Sequence, residues 1–227
     1  MSMMPLAIYG GGAAPILPAP TFFGVSNTWR TSGTTNLAPA LPASVPDGAQ
    51  LYMMTVVMSL TETVATPPGW TLVSGPDDCA EAGHLLRGYL WRKVASSEGA
   101  SVSGLTKTGT TSNSNTAIVA YTGGTHFDAA VEAPDDHDTN VPVPSVDVDL
   151  VNSMLVIMCG HKGGFTSISV PAVGYTERLD NKGANEPLHQ VADKVATEAG
   201  ATGATSQTVS GGGVAALAYH IAISPTG

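Results

Sequence analysis

Apolar residues in this chain fall in short runs of strand length, separated by turn residues, and not at helical spacing. The clearest runs are 50–59, 71–74, 85–95, 116–121, 154–159, 175–179, 188–196 and 214–223, with weaker ones at 34–41, 100–105, 145–150 and 202–209. Between them stand Pro46-Asp47-Gly48, Pro67-Pro68-Gly69, Gly75-Pro76-Asp77-Asp78 and Asn181-Lys182-Gly183, whose residue types preset turn dihedrals. Residues 188–199 hold good helix formers, but the segment they repeat reads as a strand. The pattern predicts an all-β chain.

Several elements occur twice in the same order. Lys93-Val94-Ala95-Ser96-Ser97-Glu98-Gly99-Ala100 resembles Lys194-Val195-Ala196-Thr197-Glu198-Ala199-Gly200-Ala201, an offset of 101 residues. Pro68-Gly69-Trp70-Thr71 resembles Val173-Gly174-Tyr175-Thr176, and Ala120-Tyr121 matches Ala218-Tyr219. The apolar strand ahead of each Gly-aromatic-Thr turn is also duplicated, at 51–58 and 155–159. Each half is then a unit of about four strands with one apolar face, and facing units bury both. The expected fold is a two-sheet, jelly-roll-like β-sandwich of two pseudo-repeated halves. It forms a single domain over 21–227, with half-repeats at about 45–123 and 145–223 and a connector at 124–144. Residues 1–20, rich in Gly and Pro, read as an N-terminal arm.

The repeat assigns structural roles. Trp70 and Tyr175 are expected to plug equivalent positions at the sandwich end. Leu90 and Val94 align with Val191 and Val195, and the residue between them on that face is Arg92 in one half and Asp193 in the other. A twofold relation would bring these opposite charges together near the core; an outward face would leave both solvated.

Composition narrows the function. Only 12% of the 227 residues are charged, the net charge is −9, and the nine Lys and Arg are scattered. Without a basic stripe, nucleic acid and anionic membranes are not expected partners. No apolar run approaches the ~20 residues of a membrane helix, and the start, Met1-Ser2-Met3-Met4-Pro5, lacks a basic leader. The expectation is a protein that is made in a cytoplasm and stays soluble. Cys79 and Cys159, the only cysteines, read as buried or free thiols.

Candidate chemistry is sparse. Asp135, Asp136 and Asp138, with Glu132 nearby, could offer oxygens to a hard cation, but the spacing is not that of a calcium loop and a solvated acidic loop is the plainer reading. The six histidines form neither HxxxH nor HExxH, and the Gly10–Gly12 and Gly211–Gly213 runs lack the Lys-Ser/Thr of a phosphate loop. No Gly-x-Ser-x-Gly elbow is present. Glu177, Glu186 and Asp193 are carboxylates available for glycoside hydrolysis but carry no distinguishing context. No catalytic residue and no cofactor is implied. Trp29, Tyr89 and Trp91, if exposed on one face, would form a platform for sugar rings.

Three segments together resemble a known group: Pro67-Pro68-Gly69-Trp70-Thr71, Trp91-Arg92-Lys93-Val94-Ala95, and Ala120-Tyr121-Thr122-Gly123. They are similar to motifs in accessory virion proteins of tailed bacteriophages, of minor tail or head-decoration type. The resemblance spans roughly residues 40–223 and transfers no catalytic residue. It implies a non-enzymatic structural component of the virion, a homo-oligomer in the assembly, in contact with capsid or tail subunits on the head, tail or baseplate. A glycan- or receptor-binding sandwich that meets a host surface glycan is the alternative, and a polysaccharide hydrolase a more distant one.

Overall fold

The computed structural model describes residues 16–81, 83–132, 140–162, 167–168, 174–181, 187–210 and 215–227. The first 15 residues, most of the expected N-terminal arm, lie outside this set. The described residues are all-β: strands, bridges and turns with no helix.

Two five-stranded antiparallel sheets form a sandwich. The first contains β1 (Thr21–Arg30), β2 (Gln50–Val57), β3 (Thr71–Glu81), β4 (His84–Val94) and β5 (Ser114–Thr122), in the order β1-β5-β2-β4-β3. The short strands β7 (Asn140–Val143), β8 (Asp147–Val148), β10 (Ser167–Ile168), β13 (Gly200–Ala201) and β14 (Thr205–Ser210) form small outer sheets. The second large sheet contains β6 (Gly124–Glu132), β9 (Met154–Lys162), β11 (Thr176–Asp180), β12 (Leu188–Val195) and β15 (Ala215–Pro225), in the order β11-β12-β9-β15-β6. Read from the other edge, β6-β15-β9-β12-β11 repeats the order of the first sheet. Each sheet is thus drawn from one half of the chain.

Strand register refines the repeat. Leu51 pairs with Lys93 and Ala120, and Leu155 with Lys194 and Ala222. Ala120-Tyr121 is therefore equivalent to Ala222-Ile223, four residues beyond the Ala218-Tyr219 match read from sequence. A four-residue slip keeps every side chain on its own face, so alternation alone does not exclude it. Residues 124–132, expected in a connector, form β6, the equivalent of β1. Both strands carry a bulge at the same place, skipping Phe23 in one and Phe127 in the other, and both phenylalanines remain partly exposed. A second matched pair of bulges falls at Val73 and Arg178.

Burial explains the continuous apolar runs. All eight residues of β2 and all eleven of β15 are buried, so these central strands are covered on both faces. Tyr52, Met54, Leu90, Val119, Val156, Met158, Leu217 and Tyr219 fill the space between the sheets. The outer face of the first sheet buries Leu51, Met53, Trp91 and Ile118 under Leu37, Val64, Trp70 and Leu105 from the loops. The outer face of the second buries Leu155, Ile157, Cys159 and Ala218 under Val141, Val143, Val146 and Val148. Each half therefore buries two faces instead of the single one expected. Between the sheets, a Cβ on Gly88 would meet Leu217 Cδ1 at 2.5 Å, and one on Gly160 would meet Val56 Cγ1 at 2.5 Å. These two positions set how closely the sheets approach.

Candidate functional site

The residues singled out from sequence disperse into packing roles. Trp70 is buried in the outer core of the first sheet, and Tyr175 packs in the outer core of the second. Their positions are equivalent: each directly precedes an edge strand, β3 or β11, and packs into the outer core of its sheet. Tyr89 and Trp91 are buried and stacked, ring centres 5.3 Å apart. Trp91 Nε1 donates to Thr66 Oγ1 at 3.1 Å, and the Tyr89 hydroxyl accepts from the Val64 amide at 3.2 Å. Both rings therefore hold the 59–70 loop onto the sheet. Trp29 lies half-buried on edge strand β1. The exposed aromatic platform of Trp29, Tyr89 and Trp91 is not formed, because residues two apart on a strand covered on both faces still point into a core.

Asp193 is buried on the inner face, as the repeat suggested, but its partner is not Arg92. Arg178 Nε donates to Asp193 Oδ2 at 2.9 Å, and the Tyr121 hydroxyl donates to the same oxygen at 2.8 Å. The bulge at Arg178 places this side chain beside Asp193. Arg92 stands opposite Tyr52 on β2, where its charge acts on Tyr52 and on His126. The Tyr52 hydroxyl shares a hydrogen bond with His126 Nδ1 at 3.2 Å, and burial followed by the Arg92 charge holds His126 down to about 4.

Asp135, Asp136 and Asp138 lie outside the described residues. Among the described residues no three His, Cys, Asp or Glu side chains converge as metal ligands. Cys79 and Cys159 are both buried and neither forms a disulfide, and burial pushes the Cys159 thiol well up. Of the carboxylates weighed for hydrolysis, Glu177 accepts from Gln190 Nε2 at 3.2 Å, Asp193 is ion-paired, and Glu186 is outside the described residues.

Sequence reading missed two polar features. The first is a buried ion pair on the outer side of the first sheet. Lys107 Nζ donates to Glu62 Oε2, Gly109 O and Ser112 O, each at 2.8 Å. Glu62 also accepts from the amides and hydroxyls of Thr111 and Ser112. Burial works to raise this carboxyl, but the bonds from Lys107, Ser112 and Thr111 prevail and hold it at about 2.

The second is a cleft of about 390 Å³ beside the loop that follows β12. Lys194 and Glu198 border it, with Leu155, Gly174, Thr197 and the small residues 199–201. A chain of contacts positions the lysine. His220 Nδ1 donates to Pro144 O at 2.8 Å, which leaves Nε2 to accept from the Tyr175 hydroxyl at 3.0 Å. The Lys194 ammonium lies 4.5 Å from the centre of the Tyr175 ring. Burial holds His220 down to about 4, so the imidazole is neutral and this tautomer persists at pH 7. The available signal in sequence was Glu198 standing near the repeated Lys-Val-Ala, but the open space beside it depends on loop length and rotamer.

None of the described residues forms a helix long and apolar enough to cross a membrane. Comparison of the chain with protein-family models, with curated proteins and with solved structures returned no match.

Proposed function

We propose that this chain is a non-enzymatic structural component of a tailed-bacteriophage particle, an accessory protein on the head, tail or baseplate surface. In this reading it is made in the bacterial cytoplasm and ends in the virion, as a homo-oligomer contacting capsid or tail subunits. The observation that carries the proposal is how the virion-like motifs are used. Gly69 turns the chain at φ +78° and Trp70 enters the outer core. Trp91 packs beneath the same loop, Lys93 bonds Glu98, and Ala95 exchanges backbone hydrogen bonds with Gly48 and Ala49. Every one of these side chains serves architecture, as a structural module requires.

The edges support the same reading. The segment covering β1 bonds to it through side chains: Ser26 Oγ donates to Ala40 O, and Arg30 donates to Leu37 O and Ala38 O. The matched bulges at Phe23 and Phe127 interrupt both β1-type edges. Protected edges resist uncontrolled strand addition in a crowded assembly. Mass spectrometry of purified particles from the host, with the protein's mass in solution, tests the proposal. High copy number in particles supports it. A stable monomer missing from particles overturns it and moves a glycan- or receptor-binding module to first place.

A further inference from the structure

We propose that the cleft between Lys194 and Glu198 is a saccharide-binding site. The proposal stands on the cleft alone and is independent of the virion assignment.

The first half of the chain shows what this site looks like closed. There Lys93 Nζ lies 2.7 Å from Glu98 Oε1, and Glu98 also accepts from the Ser96 amide at 3.0 Å. Backbone hydrogen bonds align the two loops. Gly48 N to Ala95 O corresponds to Asn152 N to Ala196 O, and Val102 N to Pro39 O corresponds to Thr202 N to Val146 O. Between these anchors the second loop is one residue shorter, 197–201 against 96–101. The shorter loop leaves Glu198 exposed, and Tyr175 holds the Lys194 ammonium over its ring. Among the described residues Lys194 makes no ion pair, and the space between the two charges is the cleft.

An opened ion pair defines its ligand. The site carries one cation and one anion, so a ligand of either net charge is repelled by one of them. A bridging group must accept from the ammonium and donate to the carboxylate. Vicinal hydroxyls do both, and they do so without the desolvation cost of an ionised ligand. Thr197 adds a hydroxyl at the rim. The small residues 199–201 and Leu155 offer an apolar wall that a sugar ring can approach closely. The volume falls within the range of small-ligand sites.

The test is an amide chemical-shift titration of the full chain with glucose, galactose, mannose and N-acetylglucosamine, beside glycine and glucuronate. The expected result is saturable shifts at residues 197–202 with at least one neutral sugar. Lys194→Met and Glu198→Gln should each weaken that binding by about tenfold or more, the usual effect of losing a charged hydrogen bond. Lys93→Met, which breaks the closed counterpart, should leave binding unchanged, and unaltered spectra elsewhere confirm that each variant is folded. Absence of saturable shifts with every neutral sugar overturns the proposal. So does saturation by glycine or glucuronate alone, or sugar binding that Lys194→Met leaves intact.

Discussion

Replacing Lys107 with methionine tests whether the loop layer over the first sheet is held by one buried ion pair. The Lys107 side chain is fully buried and that of Glu62 is 6% exposed. The ammonium uses all three protons within the chain, and the carboxylate accepts five hydrogen bonds. Methionine fills much of the same volume but leaves the buried carboxylate without its counter-charge and the Gly109 and Ser112 carbonyls without that donor. Breaking a buried pair from one side costs about 3–5 kcal/mol. The carboxyl's fall from 4.5 to about 2 corresponds to about 3 kcal/mol at 1.36 kcal/mol per unit, shared between Lys107 and the bonds from Ser112 and Thr111, so the low end of that range is expected. For a chain of this length, that loss lowers Tm by about 10 °C. Because the folded carboxyl lies below its unfolded value, its contribution is complete above pH 4.5 and disappears as pH falls toward 2. Calorimetry of wild type and Lys107→Met at pH 7 measures the first effect. Urea titration of wild type and Glu62→Gln between pH 5 and 2.5 measures the second, which the glutamine variant lacks. A Tm for Lys107→Met within about 2 °C of wild type would refute the reasoning.

Three further outcomes are expected. Arg178→Met should cost about 2 kcal/mol, because it leaves buried Asp193 with only Tyr121 as a donor, whereas Arg92→Met should cost under about 1 kcal/mol; equal losses in urea titration would contradict the assignment of Arg178 as the partner. Gly160→Val should cost at least 1–3 kcal/mol by overpacking against Val56 and Met54 between the sheets, and an unchanged urea midpoint would show that the sheets can separate freely. Burial holds His161 and His189 at about 3 and His220 at about 4. All three stay neutral in the fold and gain protons on unfolding. The stability this provides is present above pH 6.5 and is lost as pH falls toward 4 for His220 and toward 3 for His161 and His189, by at most about 4 kcal/mol per pH unit. His189→Gln should lower that slope by about one third, and identical urea midpoints at pH 7 and pH 5 would overturn the account.

The all-β class, the two-sheet sandwich and the duplication were legible in the sequence. They rest on local signals: strand-length apolar runs, turn residues with preset dihedrals, and short motifs repeated in order. The Lys-Val-Ala pair and the Gly-aromatic-Thr turns gave strand equivalences that the register confirms. Ala120-Tyr121 did not. Ala218-Tyr219 and Ala222-Ile223 have the same alternation, and only hydrogen-bond register separates them. Strands β1 and β6 escaped recognition as a repeated pair because edge strands need no continuous apolar run. What they share is a bulge at Phe23 and Phe127, a property of pairing.

Tertiary structure alone decided which polar groups meet. Glu62 and Lys107 are 45 residues apart, and nothing local distinguishes them from solvated surface charges until the loops close over the sheet. The repeat pointed to Asp193 as a buried charge but could not supply its partner, because a bulge at position 178 redirected Arg178 toward it. Burial of Tyr89 and Trp91 followed from the second cover over each sheet, which strand periodicity cannot report once both faces are apolar. The sequence determined, by itself, the strands and their duplication, since those follow from local dihedral preference and side-chain alternation. The ion pairs and the Lys194 cleft depend on loop length, bulges and the distance between layers. Those quantities exist only when the whole chain is packed.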